Sequence, residues 1–476
     1  MLLKGTVPAV TLVTILSRTC WARIIIGTIL PIQKLKRVLT FWDVFFIAAG
    51  QIIGAGVVAL TGVAIGMTGP SVFLAYFFAA ILVLLVSVLI MIAGTALPVT
   101  GAYYAWVSRL RSGWLASVVL SLILLASISL SLYGSSFGLY LNPLFPQLSV
   151  NTWGVVAVLL LFFANLFGLK MASKLQMALV VLLISALAVY AGFAMPNIDK
   201  DLLTPLFPKG IAGFLTAVFL LKFATGGAHM IVGLSGEILN PRRTIPMVMI
   251  SATLLVAVVY GFVALASVGV VPWTEMVNQP LTLAGQQFLP AWAMTYFLIC
   301  GAGLAICTTL NSQYIQLPRT FIVASWDQLL PTWVGTLNRH GAPYVILLLM
   351  MLIGIVPLLI GLDFGDIARA ATVSASLPAF IVYWAIVRIP KQYPEQYRQS
   401  IFQPGPFWLW TLFVIAELST ALGVYFLSKD LPVAVIVSLL SWIVLSVAYY
   451  PLRRRYLARQ GVDLDKLTTD DTVFVH

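Results

Sequence analysis

Residues 41–68 read FWDVFFIAAGQIIGAGVVALTGVAIGMT, an apolar stretch that could cross a bilayer but carries Gly54-Ala55-Gly56 at its middle. In hydrocarbon every backbone polar group needs a partner inside the protein, so unwound backbone survives there only where it lines a cavity or meets a ligand. The N–H groups freed at such a break can bind an anion such as a carboxylate. The stretch therefore predicts a membrane protein with a binding site near the midplane of the bilayer.

The composition agrees with a multi-pass membrane protein. Of the 476 residues, 61% are hydrophobic and 9% are charged, whereas soluble domains carry about 25% charged residues. The net charge of +12 does not indicate a nucleic-acid partner, because the basic residues stand beside hydrophobic segments. The three cysteines lie in or near apolar runs and the three histidines are far apart, so we expect free thiols and neither a metal site nor a cofactor.

Hydropathy divides the chain into twelve apolar segments. A helix needs about 20 residues to cross a bilayer, and the segments are close to this length or longer. We call them spans 1 to 12, with predicted ranges 41–67, 71–98, 113–140, 151–168, 175–195, 211–237, 245–270, 290–322, 344–361, 366–388, 406–427 and 431–450. Lys and Arg concentrate in alternate connectors, which the positive-inside rule makes cytoplasmic. Both termini are then predicted to be cytoplasmic, in a protein of the cell inner or plasma membrane.

A second interrupted segment mirrors the first. Residues 214–237 read FLTAVFLLKFATGGAHMIVGLSGE, with Thr225-Gly226-Gly227 near the middle, and glycine is a poor residue for a helix interior. Two discontinuous helices five spans apart indicate an inverted-repeat transporter. The alternative is that these glycines serve only helix packing, since Gly50/Gly54 and Gly62/Gly66 have small-xxx-small spacing.

Four motifs carry a resemblance to a known family. They are Lys36-Arg37-Val38-Leu39 with Gly50, Ile52, Ile53, Gly54 and Gly56; Pro98-Val99-Thr100-Gly101-Ala102-Tyr103-Tyr104; Glu237-Ile238-Leu239-Asn240-Pro241-Arg242-Arg243-Thr244-Ile245-Pro246; and Arg319 with Ser325, Asp327, Leu329, Leu330 and Pro331. In this order and spacing, over about residues 34–450, they resemble the amino acid–polyamine–organocation transporter superfamily, which has the leucine-transporter-like fold.

The resemblance implies an all-α membrane protein of about twelve transmembrane helices, built as a 5+5 inverted repeat with discontinuous helices 1 and 6 plus two C-terminal helices. The predicted transporter domain is 34–450, with repeats 34–200 and 201–390 and helices 11 and 12 in 404–450. Residues 1–33 are predicted to be a cytoplasmic or interfacial extension, because their apolar run is too short to span, and residues 451–476 a cytoplasmic tail.

The resemblance also implies which groups bind substrate at the two breaks. Backbone N–H groups of Gly54, Ala55 and Gly56 would hold a carboxylate, and carbonyls of Ile52, Phe223 and Gly226 would receive an α-ammonium. The Phe223 ring matches an aromatic side chain that helps to cover the substrate in the family.

The sequence departs from the family pattern just after Phe223. Ala228 replaces a bulky residue and His229 replaces a frequent acid, while Leu183 stands where many relatives carry a lysine in span 5. Lys222 lies inside span 6, where a charge costs at least about 2.5 kcal/mol. It is a candidate proton carrier or partner of an anionic substrate group; alternatively it pairs with Glu417 in span 11 or faces water. His229 is either part of the same pathway or a hydrogen-bonded core residue.

Other polar residues have simpler interpretations. Asp43, Glu237, Arg319 and Asp327 flank the predicted cytoplasmic ends of spans, which favours inner-gate or loop ion pairs over substrate contacts. Hydroxyls of Thr308, Thr309 and Ser312 in span 8 are candidate cation ligands, although such groups more often bond carbonyls of their own helix.

These observations predict a secondary-active amino acid transporter, either a proton-coupled symporter or an exchanger, that works by alternating access in the lipid bilayer. Its small-molecule substrate is predicted to be a neutral amino acid with a medium or large side chain, such as leucine or phenylalanine, because Ala228 replaces a bulkier residue. Transport of an amine or polyamine, and nutrient sensing by a transporter-like protein, stay open as alternatives. A membrane-embedded enzyme is not indicated, because the sequence contains neither H-E-x-x-H nor G-x-S-x-G.

Overall fold

The computed structural model describes residues 37–470 except 143–144, 362–363, 429–430 and 432. The predicted extension 1–33 therefore lies outside the described residues. Within them, nine helices are long and apolar enough to cross a membrane, and three further apolar helices are shorter. The prediction of an all-α membrane protein is confirmed.

The observed helices follow the predicted spans. They are Phe41–Ile52 and Ala55–Thr68 (span 1), Val72–Ala96 (span 2), Gly113–Ala126 and Ser129–Leu141 (span 3), Val150–Asn165 (span 4), Leu169–Ala194 (span 5), Gly210–Thr225 with the 3-10 helix Ala228–Gly233 (span 6), Pro241–Val270 (span 7), Ala291–Tyr296, the π-helical Phe297–Gly303, Leu304–Gln316 and Pro318–Trp326 (span 8), Tyr344–Ile360 (span 9), Phe364–Ile386 (span 10), Pro406–Ser428 (span 11) and Val433–Ala458 (span 12). Short α-helices outside the spans are Ala102–Leu110, Thr282–Phe288, Ile389–Gln392, Pro394–Arg398 and Leu464–Thr468. Spans 1 and 6 are both interrupted, as predicted.

Local chemistry explains where span 1 begins. Thr40 accepts the Asp43 backbone N–H on its hydroxyl, and the Asp43 carboxylate accepts the Thr40 N–H at 3.0 Å, which makes a reciprocal capping box. Asp43 also pairs with Lys170 of span 5 at 3.2 Å. The first helix is therefore fixed at its start and tied to span 5, before the chain reaches the break.

Burial separates the helices into central and peripheral sets. In the most apolar 18 residues of each segment, the buried share is 61% for Leu60–Ala96, against 17% for Pro406–Tyr425 and 11% for Val435–Ala458. The exposed residues of spans 11 and 12 are largely Leu, Val, Trp and Tyr, which suits contact with lipid chains. The core is therefore built mainly by spans 1 to 10, with a few buried residues such as Leu409 and Ala416 from span 11.

The backbone entering span 1 pairs with the backbone leaving span 6. The Leu39 N–H donates to the Glu237 carbonyl at 2.9 Å, and the Leu239 N–H donates to the Leu39 carbonyl at 2.9 Å. Thr100, before the helix Ala102–Leu110, forms an isolated bridge with Leu234 in the same region. The two interrupted spans are thus joined at one end by main-chain hydrogen bonds.

Buried ion pairs close the same end of the bundle. Arg109 holds the Asp327 carboxylate with two hydrogen bonds of 2.6 and 2.9 Å, and Tyr104 donates to that carboxylate at 2.8 Å. Arg319 contacts Glu237 at 3.1 Å, and both side chains are 6% exposed. The prediction that Glu237, Arg319 and Asp327 form ion pairs is confirmed; the partner Arg109 was not foreseen.

Replacing Asp327 by asparagine should destabilise the protein strongly. The substitution keeps the side-chain shape but removes the carboxylate that pairs with the fully buried Arg109 guanidinium. Removing one partner of a buried pair costs about 3–5 kcal/mol, which thermal unfolding in detergent would detect. Glu395→Gln is the control, because its pair with Arg398 is more than 70% exposed on both sides and contributes about 1 kcal/mol at most. Equal melting temperatures for the two variants would contradict the prediction.

Candidate functional site

The first break lies where the glycines predicted it. The helix Phe41–Ile52 ends with Ile53 as its C-cap, and the chain resumes as a helix at Ala55. Gly54 between them has φ −119° and ψ −149°, an extended backbone. The Gly54 N–H donates to the Ile52 carbonyl at 2.9 Å in this conformation. The first N–H groups of the following helix, including that of Gly56, have no partner within it and are the available donors.

The glycines of this break also permit close packing. A Cβ on Gly54 would lie 2.6 Å from the Thr309 hydroxyl oxygen of span 8. A Cβ on Gly56 would lie 2.9 Å from the Cβ and 3.0 Å from the Cα of Ala224 in span 6. Both glycines are therefore closely packed, and this packing does not exclude binding, because close approach brings the breaks together.

The second break follows the helix Gly210–Thr225. Gly226 is extended, and Gly227 has φ +121°, a conformation that residues with a Cβ rarely adopt. A Cβ on Gly227 would also lie 3.2 Å from Cγ and 3.3 Å from the carbonyl oxygen of Gln51. Together with the approach of Gly56 to Ala224, this places the two breaks directly against each other.

The predicted ammonium acceptors occupy these breaks. The Ile52 carbonyl accepts from the Gly54 N–H and from the Tyr260 hydroxyl at 3.4 Å. The Phe223 carbonyl lies in the last turn of its helix, where carbonyls lack partners within the helix, and it stands 3.7 Å from the position of a Cβ on Gly226. Ala228 begins the next helical turn and is 4% exposed. Ile52 and Phe223 thus lie in the last turns of the helices that precede the two breaks, and their binding of an ammonium stays a prediction.

The Phe223 side chain is placed differently from its carbonyl. Its ring is 51% exposed and continues the exposed side of the helix that carries Leu215 and Phe219. A role in covering a substrate stays a prediction for another conformation of the protein.

Two buried tyrosines stand beside the first break. The rings of Tyr76 in span 2 and Tyr260 in span 7 meet edge to face with centroids 5.2 Å apart. The Tyr76 hydroxyl lies 2.7 Å from the Thr61 hydroxyl, and Tyr260 reaches the Ile52 carbonyl. The sequence analysis did not single out either residue. The available signal was a tyrosine within an apolar span, because its hydroxyl needs a hydrogen-bond partner when buried, as both are here.

A polar network joins span 1 to span 8. Thr308 donates to the Ile53 carbonyl at 3.1 Å, Thr309 to the Gly50 carbonyl at 3.1 Å and Ser312 to the Ile47 carbonyl at 3.0 Å. Thr308 is also 2.7 Å from the Ala305 carbonyl of its own helix, as expected for a helical hydroxyl. The hydroxyls predicted as candidate cation ligands thus serve as hydrogen-bond donors across the interface.

Span 5 completes this network with Gln176. Its amide nitrogen donates to the Thr308 carbonyl at 3.1 Å and to the Ser312 hydroxyl at 2.9 Å, while its oxygen accepts from Asn311 at 2.8 Å. Leu183, the residue matched to the family's lysine, lies two turns further along span 5 and is fully buried. The polar side chain that span 5 supplies between spans 1 and 8 is therefore an uncharged amide, which the sequence reasoning did not single out.

Among the described residues, neither a hydrogen bond nor an ion pair joins the three coupling candidates Lys222, His229 and Glu417 to one another. The Lys222 ammonium donates to the Ser419 hydroxyl of span 11. Among the described residues no ion pair joins Lys222 to Glu417, so the pairing alternative is wrong in this conformation: the hydroxyl two residues away takes that place. His229 is half-buried in the 3-10 helix after the second break. Lys222 is thus a partly buried cation whose described partner is neutral.

A small cavity lies beside the 3-10 helix Ala228–Gly233 that follows the second break. Its lining includes Met230, Gly233, Gln316 and Thr320, and the Gln316 amide nitrogen is 3.3 Å from the Gln51 side-chain oxygen. Within the described part of the chain, the Gln316 side-chain oxygen is buried without a protein partner, which suits a bound water. Two interrupted helices that meet at their breaks, with polar groups of a third span beside them, define a membrane transporter.

Comparison with known proteins identifies the family. A family model described as "Amino acid permease" matches residues 39–449, and the chain belongs to that family. The branched-chain amino acid permease BcaP of Bacillus subtilis is 23% identical over 428 residues, which cover 83% of this chain and 91% of that protein. BcaP of Lactococcus lactis is 25% identical over 439 residues, covering 82% of this chain and 92% of that protein.

A plant relative matches over a shorter part of its length. The vacuolar cationic amino acid transporter 8 of Arabidopsis thaliana is 26% identical over 355 residues, which cover 70% of this chain. The match spans only 60% of the Arabidopsis protein. These relatives are permeases and transporters, and the chain accordingly belongs among transport proteins and not among enzymes.

Proposed function

We propose that this protein is a secondary-active transporter that binds a neutral amino acid between the breaks of spans 1 and 6 and moves it by alternating access. The observation that carries the proposal is the contact of the two breaks, Gly56 against Ala224 and Gly227 against Gln51. The N–H donors at the start of the helix Ala55–Thr68 and the carbonyl acceptors at the end of the helix Gly210–Thr225 would then face one zwitterionic amino acid. Such opposed helix ends are how discontinuous helices bind substrates in transporters.

The polar groups near the site favour a substrate without a positive side chain. The buried carboxylates of Glu237 and Asp327 are already paired with Arg319 and Arg109. Lys222 and His229 add cationic or basic groups to span 6. A cationic side chain would therefore meet no free acid among these residues, whereas an apolar one can pack against Ala228. The two BcaP relatives, named as branched-chain amino acid permeases, agree with this preference.

The orientation follows from charge. The ion-paired end of the bundle is proposed to face the cytoplasm, together with both termini, because the arginine-rich connectors lie there. The same assignment gives the repeats 34–200 and 201–390, followed by the peripheral spans 11 and 12. The cell inner or plasma membrane is the proposed location.

Competition for uptake tests the function and the substrate together. Purified protein in liposomes should accumulate radiolabelled leucine, and unlabelled leucine or phenylalanine should compete about tenfold better than glycine, arginine or lysine, as expected for 1–3 kcal/mol from a filled apolar pocket. Isoamylamine, which is leucine without its carboxylate, is the control for the N–H groups of span 1. If alanine or arginine is clearly the best competitor, the neutral and bulky substrate class is wrong. If isoamylamine equals leucine, the carboxylate site is wrong, and the amine transporter becomes the better proposal.

A further inference from the structure

Two arginines share one tryptophan ring at the junction of span 10 and the connector before span 3. The Arg111 guanidinium carbon lies 3.5 Å from the centroid of the Trp384 ring, and that of Arg388 lies 6.0 Å from the same centroid. Arg111 follows the helix Ala102–Leu110, and Trp384 and Arg388 stand at and just after the end of span 10. Two like charges are thus held close together beside one aromatic ring.

Main-chain carbonyls use only part of the hydrogen-bonding capacity of these arginines. Arg111 donates to the Trp384 carbonyl through two nitrogens, and Arg388 donates to the Leu110 carbonyl at 3.3 Å. A guanidinium has five N–H donors. The ion pairs of the described residues include neither arginine. Two neighbouring cations with spare donors, and with no carboxylate partner in the described part of the chain, make a concentrated positive site.

The local electrostatics favour an incoming anion. Burial, and after it the neighbouring charge of Arg388, lowers the pKa of Arg111 to about 10. Both causes describe a cation that has lost solvation without gaining a counter-ion. An anion between the arginines would remove the repulsion and could accept bidentate hydrogen bonds, the geometry that guanidinium offers to a phosphate.

The surroundings indicate that the anion is carried by a lipid. Trp384 is 41% exposed, and Trp114, in the first turn of span 3 next to Arg111, is 39% exposed. Tryptophans at the ends of apolar spans mark the level of the lipid headgroups. Basic pockets between transmembrane helices are the type of site that binds anionic headgroups. A free anion would not need the apolar faces of spans 3 and 10 beside it, whereas acyl chains would.

We propose that Arg111, Arg388 and Trp384 form a binding site for the phosphate headgroup of an anionic phospholipid, which ties the end of span 10 to the start of span 3. The site is separate from the breaks of spans 1 and 6 and does not depend on which substrate the protein carries.

Thermal unfolding of the purified full-length protein in detergent tests the site, with phosphatidylglycerol or phosphatidylcholine added. Phosphatidylglycerol should raise the melting temperature of the parent protein more than phosphatidylcholine does. In R111Q/R388Q this difference should disappear, with an affinity loss of about fivefold for each arginine. The control R455Q/R459Q removes two exposed arginines from the end of span 12 and should keep the difference.

Two further measurements complete the test, one with a single variant and one with a different anion. R388Q alone leaves the contact between Arg111 and Trp384 intact, so it tests the site even where the double variant does not fold. Inorganic phosphate is the source control and should not reproduce the shift. An equal shift with inorganic phosphate, an unchanged lipid response in R388Q and R111Q/R388Q, or an equal loss in R455Q/R459Q would each overturn the proposal.

Discussion

Gly56→Ala is expected to abolish substrate binding while the protein stays folded. The added Cβ would lie 2.9 Å from the Ala224 Cβ and 3.0 Å from its Cα, so spans 1 and 6 must separate where their breaks meet. Because the binding groups are main-chain N–H and C=O groups, a shift of about 1 Å is enough to cost about 100-fold in function. Leucine-induced thermal stabilisation measures binding, and elution as a single monodisperse species measures folding. The change Gly56→Leu should have the same effect more severely.

A matched glycine in the same helix separates binding from packing. A Cβ on Gly66 would meet Val277 Cγ1 at the same 2.9 Å, but that atom ends a side chain and lies away from the break. Gly66→Ala should therefore retain leucine binding. In the double variant Gly56→Ala/Ala224→Gly, removal of the opposing Cβ should restore part of it. Full stabilisation by leucine in Gly56→Ala alone would show that the break does not hold the substrate.

How much the sequence predicts differs between backbone and side-chain features. The breaks could be predicted because glycine within a span of membrane length is a local signal: Gly54 and Gly226-Gly227 interrupt helices where expected. The end of span 12 could not be predicted from hydropathy. Its helix continues through Arg453, Arg454 and Arg455 to Ala458, beyond the point where the hydropathy falls. Hydropathy measures residence in lipid, whereas a helix ends where its backbone hydrogen bonds end.

Side-chain partners depend on contacts between distant parts of the chain. Asp327 could be predicted to form an ion pair, but Arg109, its partner, is 218 residues away. The role of Gln176 depends on its hydrogen bonds to Thr308 and Ser312 of span 8, which are close to it only in the folded protein. Without knowledge of how the spans pack, the sequence does not distinguish Gln176 from the other amide side chains.

The same limit explains Lys222. The sequence shows a charge inside span 6 and an acid, Glu417, inside span 11, and opposite charges in lipid are expected to pair. In the structure, the rotation of span 11 about its axis places Ser419, and not Glu417, against Lys222. The outcome strengthens the case for coupling, since a lysine bound to a hydroxyl can release a proton without breaking an ion pair.

Lys222→Met is expected to make uptake insensitive to an imposed pH gradient. Methionine keeps the apolar stem and removes the only group of this side chain that carries a proton. The ammonium contacts Ser419 of span 11 and lies seven residues before His229, so its charge joins span 6 to a peripheral helix. The variant loses the hydrogen bond to Ser419 at every pH, so this contact can no longer respond to a proton. Liposomes with an acidic exterior should drive leucine uptake by the parent protein several-fold and by the variant hardly at all, while leucine binding falls less than transport.

Lys209→Met is the control for this experiment. It removes one positive charge just before the same helix, at an exposed position outside the span, and should leave gradient-driven uptake unchanged. Ser419→Ala should shift the pH profile without abolishing uptake, because it removes the partner and leaves the titrating group. If Lys222→Met retains gradient-driven uptake with the pH profile of the parent protein, Lys222 is structural. The proton pathway would then have to begin at His229, the remaining ionisable side chain of the broken helix, and His229→Gln would be the next variant to measure.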